Sequence, residues 1–438
     1  MSNRPLHNTW VMLLAFSLLI PVQSFAGEDN NNRIPMEDVQ RFSNTISQIK
    51  KYYVNRTNNK ELFDNAIRGM LSGLDPHSSY LNEEDFKELK TSTNGEFGGL
   101  GIEVTMEEGV VKVVTPLVDS PAFKAGIKAG DYIIKLDEQS VQGMSLKDAV
   151  KLMRGKEGTT LNLTILRKGA SKPLDFTLVR EKVLIKSVKS NLLDNHYGYI
   201  RLTQFQALTS DDMQKAIKQL TEEAGGKIKG LILDLRNNPG GLLDSAIQIS
   251  DAFIHNDQRG NEEKIVYTEG RLPGSQFTAL ASPGDVLNNA PIVVLINNGS
   301  ASASEIVAGA LQDNKRAIVV GTQSFGKGSV QTVLPLDSKR GIKLTTALYY
   351  TPSGRSIQAK GIVPDIVVEE VEVPLQKGGS VFTGLTEANL VGHLTSKDEA
   401  DKKQSADITK KKDGNLLHED YQLYTALTIL KGLAIAHK

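Results

Sequence analysis

Two short runs carry the residue types for covalent hydrolysis: Gly299-Ser300-Ala301-Ser302-Ala303-Ser304-Glu305, and, about twenty residues on, Gly326-Lys327-Gly328-Ser329-Val330-Gln331. A serine hydroxyl is a weak nucleophile at neutral pH and needs a positioned base to take its proton. The histidine nearest in sequence to Ser302 is His255, with His196 and His393 further off, and none has an acidic neighbour in a recognisable triad motif. Lysine serves as the base when burial pulls its pKa from about 10.4 toward neutrality. Lys327 sits between glycines beside apolar Phe325, and no carboxylate lies between Asp313 and Asp337. The bland readings are a small-residue helix start for the first run and a solvated turn for the second. Ser/Lys pairs do occur among serine hydrolases.

The elements that must position these groups follow from periodicity. Ile292 to Asn297 reads as a buried strand, and Ala303 to Gln312 as a helix with Ile306, Val307, Ala310 and Leu311 at helical spacing. Ser302 then lies at a helix N-terminus, where free N–H groups and the helix dipole favour a developing oxyanion. The Ala303 N–H is one expected donor. The second is expected from the Gly240-Gly241 turn, either glycine being possible, because missing side chains allow close backbone approach. Four residues of extended chain span roughly 13 Å, so a turn at Gly326 and Gly328 must bring Lys327 and Gln331 to one serine.

These blocks, with a third at Asp234-Leu235-Arg236-Asn237-Asn238-Pro239-Gly240-Gly241-Leu242, resemble the carboxyl-terminal processing (tail-specific) proteases of serine peptidase family S41, over about Val39 to Val368. The resemblance implies Ser302 as nucleophile, Lys327 as general base and Gln331 as the residue orienting the lysine. It also implies an α/β fold: a crotonase/Clp-protease-like core of spiralled ββα units with an inserted PDZ domain and helical N- and C-terminal segments. Strand-helix-strand alternation after Leu184 agrees with packed α/β layers. Thr345 to Tyr350 is expected to be an edge strand. Arg236 could hold a carboxylate of protein or substrate, an internal salt bridge being the favoured reading. His77, in the turn Gly73-Leu74-Asp75-Pro76-His77, reads as a turn residue and not a catalytic one.

Residues 97–182 read as the PDZ domain. Gly99, Leu100, Gly101 and Ile102 match the loop and strand whose N–H groups receive a peptide carboxylate, and Leu146, Val150 and Met153 on the helix of residues 145–154 are expected to line the side-chain pocket. An extended tail adds there as a strand, with main-chain bonds giving affinity and the apolar pocket selectivity. Plain domain core is the competing reading of the Leu/Val/Met stripe.

The remaining divisions are a signal peptide at 1–26, a linker at 27–33, an N-terminal helical region at 34–96, a protease core at 183–370 and a C-terminal region at 371–438. Arg4 and His7 precede the apolar run from Val11 to Ile20, and Ser24-Phe25-Ala26 supplies small residues for cleavage, so export to the periplasm is expected. The absence of cysteine excludes disulfides, thiol catalysis and a lipobox in these residues. Lys plus Arg equals Asp plus Glu at 51 each, so no net field recruits nucleic acid. Residues 398–413, polar and charged, read as a disordered tether before an apolar helix from Leu416 to Ala436, and the terminal helices are expected to mediate homo-oligomerisation. No metal or cofactor is implied. The expected partners are proteins with apolar C-terminal tails, and the resemblance adds a helical-repeat lipoprotein adaptor and cell-wall hydrolases as substrates. A PDZ scaffold without activity and a protease making a single regulatory cut are the alternative functions.

Overall fold

The computed structural model describes residues 34–107, 109–117, 120–255, 263–371 and 416–436. The signal peptide, the linker and the tether lie outside them. Two compact units divide the described residues, those up to Ile67 and those from Arg68 on. In the first, the helix Met36–Tyr52 buries none of its residues, and Phe42 meets Phe63 with ring centroids 6.2 Å apart.

In the second unit, Asn82 caps the helix Glu83–Asn94 by accepting the N–H groups of Glu84 and Asp85. The short strand Ser79–Leu81 before it runs antiparallel to Gly341–Lys343. A two-stranded ribbon, Glu96–Gly99 with Glu181–Leu184, then closes the base of the inserted domain. That domain is an antiparallel sheet in the order Ile102–Glu107, Val110–Pro116, Tyr132–Leu136, Thr160–Leu166, Leu174–Val179, with the helix Leu146–Met153 packed on its core.

The core proper is a six-stranded sheet in the order Val188–Leu193, Tyr197–Leu202, Gly230–Asp234, Ile292–Ile296, Ala317–Gly321, Ile366–Val367, parallel from the second strand onward. Its two central strands, Gly230–Asp234 and Ile292–Ile296, are buried throughout, which explains their nearly continuous apolar sequence. One face, through Leu233, Val294, Ile296 and Val319, packs on the helices Thr209–Glu223, Leu243–Asp251 and Ala303–Asp313. The opposite face, through Ile232, Val293, Leu295 and Val320, is covered by Leu423, Ala426, Leu427 and Leu430 of the terminal helix Tyr421–Ala436. The apolar stripe of the terminal helix, expected to serve homo-oligomerisation, is therefore spent on the chain's own sheet.

A second sheet contains Ser79–Leu81, Lys264–Gly270, Phe277–Leu280, Ser329–Pro335 and Gly341–Tyr350. The strand expected at an edge, Thr345 to Tyr350, is interior: Ser329–Pro335 pairs along one side of it and Lys264–Gly270 along the other. One partner is the adjacent hairpin strand, but the other, Lys264–Gly270, lies far back in the chain, so its own sequence could not disclose the second side.

Candidate active site

Ser302 stands at the junction of the strand Ile292–Ile296 and the helix Ala303–Asp313, with φ 54° and ψ −113°. Positive φ is unfavourable for a residue with a Cβ and persists only where the surroundings over-determine it. They do so here. The Ala301 N–H donates to Asn238 O (3.0 Å), the Ser304 hydroxyl to the same oxygen (2.9 Å), and the Ser300 hydroxyl to Leu235 O (2.8 Å). The Asn297 amide donates to Asn237 Oδ1 (3.0 Å) and its Oδ1 accepts the Asn237 N–H (2.9 Å). The nucleophile turn and the turn of residues 235–241 are thus one hydrogen-bonded body.

Gly240 lies directly against the serine: a Cβ there would fall 2.8 Å from Ser302 Cβ and 3.0 Å from the Ala303 nitrogen. Its N–H is committed to Asn238 Oδ1 at 2.9 Å. Ala303 N–H, first in its helix, has no intrahelical acceptor. Gly241 N–H, on the exposed side of the turn, has no acceptor among the described residues. Of the two glycines, then, Gly240 supplies the close approach and Gly241 the uncommitted amide.

The residue that joins serine to lysine is one to which the sequence reading gave no role. Glu305 is wholly buried, and its carboxylate accepts four donors: Ser302 N–H (2.7 Å) and Lys327 N–H (2.9 Å) at Oε2, the Ser324 hydroxyl and Gly326 N–H (both 2.6 Å) at Oε1. Its spacing, Ser-x-x-Glu ahead of an apolar helix, is the capping-box signature and was legible as such.

Lys327 is half-buried. Burial chiefly, and then the Lys343 ammonium, hold its amine below the ordinary lysine pKa, against the opposing pull of Glu305 and Asp75. Those are the terms a lysine base requires. No hydrogen bond joins Lys327 Nζ to Ser302; what joins the two residues is the Glu305 carboxylate, through their main-chain N–H groups. Nor does Gln331 reach Lys327: its Nε2 donates to Ser329 Oγ (2.9 Å) and Thr345 Oγ1 (3.4 Å). Thr345 in turn donates to Asp75 (3.1 Å), whose carboxyl, although burial opposes it, is held below its usual range by the Ser78 hydroxyl and the N–H groups of His77 and Ser78. The His77 imidazole is lowered by burial and by Lys327. Gln331 is therefore tied into the strand pair and the Asp75 turn.

Arg236 forms the internal pair favoured from sequence, and with more partners. Its Nε and Nη2 bond Asp234 (3.0 and 2.7 Å), while Nη1 and Nη2 bond Asp420 (2.9 and 2.7 Å) and Nη1 bonds Gln422 Oε1 (3.1 Å). Asp420 and Gln422 come from the start of the terminal helix.

In the inserted domain, a cavity of about 230 Å³ is lined by Phe97, Leu100, Gly101, Ile102, Val104, Val150, Met153 and Arg154. Five of the expected tail-binding residues line it. Gly99 pairs with Glu181 in the ribbon and Leu146 packs against the domain core, so neither does. The strand Ile102–Glu107 is an edge, and the N–H groups of Leu100 and Gly101 have no acceptor among the described residues. An edge with free amides beside an apolar groove suits strand addition by a peptide terminus.

The comparisons with known proteins bear on the whole chain. It is 47% identical over 422 residues to the carboxy-terminal-processing protease of Bartonella bacilliformis, covering 96% of this chain and 94% of that protein. The chain belongs to peptidase family S41. The S41 family model itself matches residues 196–368, a PDZ model matches 98–178, and a model of the N-terminal domain of the activating protease CtpB matches 17–85. This S41 protease is also 37% identical over 330 residues to carboxy-terminal processing protease CtpA of Bacillus subtilis, covering 75% of this chain and 68% of that one. Among solved structures, the photosystem II D1 C-terminal processing protease is similar at 31% identity and a TM-score of 0.43, over 75% of this chain and 86% of that one. By its S41 and PDZ matches and its carboxy-terminal processing relatives, this chain is a carboxy-terminal processing serine protease of mixed α/β fold, with a PDZ domain that binds protein C-terminal tails as substrates.

Proposed function

We propose that this S41 protease cleaves polypeptides by Ser302/Lys327 catalysis after its PDZ domain has captured an apolar C-terminal tail. Neutral Lys327 takes the Ser302 proton as Oγ attacks the scissile carbonyl, and the lysine then returns the proton to the leaving amine. Water hydrolyses the resulting acyl-enzyme by the reverse proton path. The N–H groups of Ala303 and Gly241 receive the oxyanion, and Gln331 stiffens the strand that follows the lysine. The observation that carries the reading is the Glu305 carboxylate, which ties the main chain of Ser302 to that of Lys327.

The finer assignment is a periplasmic enzyme exported by its signal peptide and acting on cell-wall hydrolases with a helical-repeat lipoprotein adaptor. Its support is the N-terminal sequence pattern and the family resemblance. Self-association through the N-terminal helices is supported by the exposure of Val39, Phe42 and Phe63, each above 40%. The test of the catalytic reading follows an unfolded protein with an apolar tail by mass spectrometry. Cleavage by the parent, and none by Ser302→Ala or Lys327→Ala, is expected; cleavage by either variant refutes the assignment.

A further inference from the structure

The three residues around the lysine have every main-chain group engaged. Gly326 N–H donates to Glu305 and Gly326 O accepts Ala359 N–H (2.8 Å). Lys327 N–H donates to Glu305 and Lys327 O accepts the Tyr349 hydroxyl. Gly328 N–H donates to Gln358 Oε1 (3.0 Å) and Gly328 O accepts Tyr349 N–H (2.9 Å). Two consecutive carbonyls of the lysine turn are therefore held by one residue, once through its backbone and once through its phenol. Tyr349 is among the largest fully buried side chains, at 2% exposure.

We propose that Tyr349 is a positioning residue for the reaction, its phenol fixing the lysine turn and keeping water from the ground between Lys327 and Ser302. The inference rests on the Ser302/Lys327 reading and adds a residue that neither the motifs nor the family match assigns. A neutral phenol has one proton to give, and it goes to Lys327 O. Burial first, and the Glu305 charge second, hold the phenol well above its ordinary pKa, so it stays neutral through the working range; the Ser302 side chain, also within hydrogen-bonding reach, pulls the other way. With its proton committed, the phenol oxygen can receive the serine hydroxyl only as an acceptor. Tyr349 thus holds the lysine through the carbonyl behind its side chain, with the serine side chain nearby.

Removing the hydroxyl leaves a buried carbonyl without its donor, and a buried unpaired acceptor recruits water or shifts. Either change loosens the turn and relieves the desolvation that lowers the Lys327 amine. The charged and titratable groups acting on that amine are Lys343, Glu305 and Asp75, with His77 facing it from the turn before the strand Ser79–Leu81, and Tyr349→Phe alters none of them. A base whose pKa rises toward the free lysine value is neutral only at higher pH, so the acid limb of the rate profile moves up.

The experiment measures kcat, KM and the pH dependence of kcat/KM for the full chain carrying Tyr349→Phe. Tyr350→Phe, whose ring stacks on Tyr267 at 5.1 Å, serves as the control. The expected result is a loss of about ten-fold in kcat, or about 1.4 kcal/mol of barrier, with KM unchanged, the acid limb at higher pH, and the control like the parent. Parent-like kcat with an unmoved limb overturns the proposal. So does an equal loss with an unmoved limb, or a loss shared by the control, since either describes a general packing defect. Should Tyr349→Phe fail to fold, Gln358→Ala frees the Gly328 N–H on the opposite side of the same turn, and an unmoved acid limb there refutes the premise that the turn's fixation sets the base. Turnover by Ser302→Ala or Lys327→Ala, run alongside, refutes the pair itself and this inference with it, and is read separately from the tyrosine.

Discussion

Glu305→Gln is the most demanding test of how the site is held. The carboxylate receives two donors at each oxygen, so a glutamine must present an NH2 group to one pair. The less damaging orientation keeps the carbonyl on Ser302 N–H and Lys327 N–H and points NH2 at Ser324 and Gly326. Ser324 can adapt, because a hydroxyl accepts as well as donates and already accepts Ile362 N–H (2.6 Å). Gly326 N–H cannot. The variant therefore loses one charge-assisted bond outright and leaves a buried donor facing another, a cost of roughly 2–4 kcal/mol of stability. If Gly326 moves by about an ångström to escape, Lys327 moves with it, and a displacement of that size costs on the order of 100-fold in kcat. Urea unfolding and steady-state kinetics on the same preparation read both effects. A glutamine variant within about 1 kcal/mol of the parent, turning over at the parent rate, would show that the carboxylate does not organise this site.

Gly240→Ala places a Cβ 2.8 Å from Ser302 Cβ and Ala301 O at φ +101°, so turnover is expected to vanish while PDZ-tail affinity, read by fluorescence anisotropy, is kept; an active alanine variant contradicts the close approach. Lys327→Met is expected to abolish turnover and to stabilise the fold at neutral pH, because the folded state no longer buries an ammonium that the unfolded chain solvates freely. The sign is fixed by the lowered folded pKa: the unfolded state binds the extra proton between that value and about 10.4, so the gain shrinks as pH rises through this window. Thermal melts at several pH values that showed no such convergence would refute the buried-amine account. Val150→Asp puts a charge into the groove and is expected to weaken binding of an apolar-tailed peptide by at least ten-fold, or about 1.4 kcal/mol, with little change in cleavage of a short substrate that bypasses the domain; equal effects on both would separate the groove from tail capture.

The parts of the site carried by local sequence were the legible ones. A strand running into a small-residue turn and an amphipathic helix placed Ser302 where it is found, and the double glycine announced a backbone approach. Glu305 was readable as a capping residue, but its reach to Gly326 and Lys327 depends on a loop 21 residues away. Tyr349 lay in a stretch read only as a strand, and nothing local says which face meets the lysine carbonyl. The position of that strand inside its sheet depends on Lys264–Gly270, a partner distant in sequence. Arg236 was identified with an internal pair, yet two of its three partners lie 184 and 186 positions later. Gln331 was carried over by resemblance, and here its amide meets Ser329 and Thr345.

The terminal helix also sets an order in time. The strands of the central sheet are complete by residue 367, but the face formed by Ile232, Val293, Leu295 and Val320 stays bare until residues 421–436 are made and docked. Asp420 closes the last side of Arg236 at the same moment, next to the turn that faces the serine. A nascent or C-terminally clipped chain therefore carries intact serine and lysine motifs on an unfinished scaffold. Removal of residues 416–436 is thus expected to bare that face and one side of Arg236 while leaving both motifs in place.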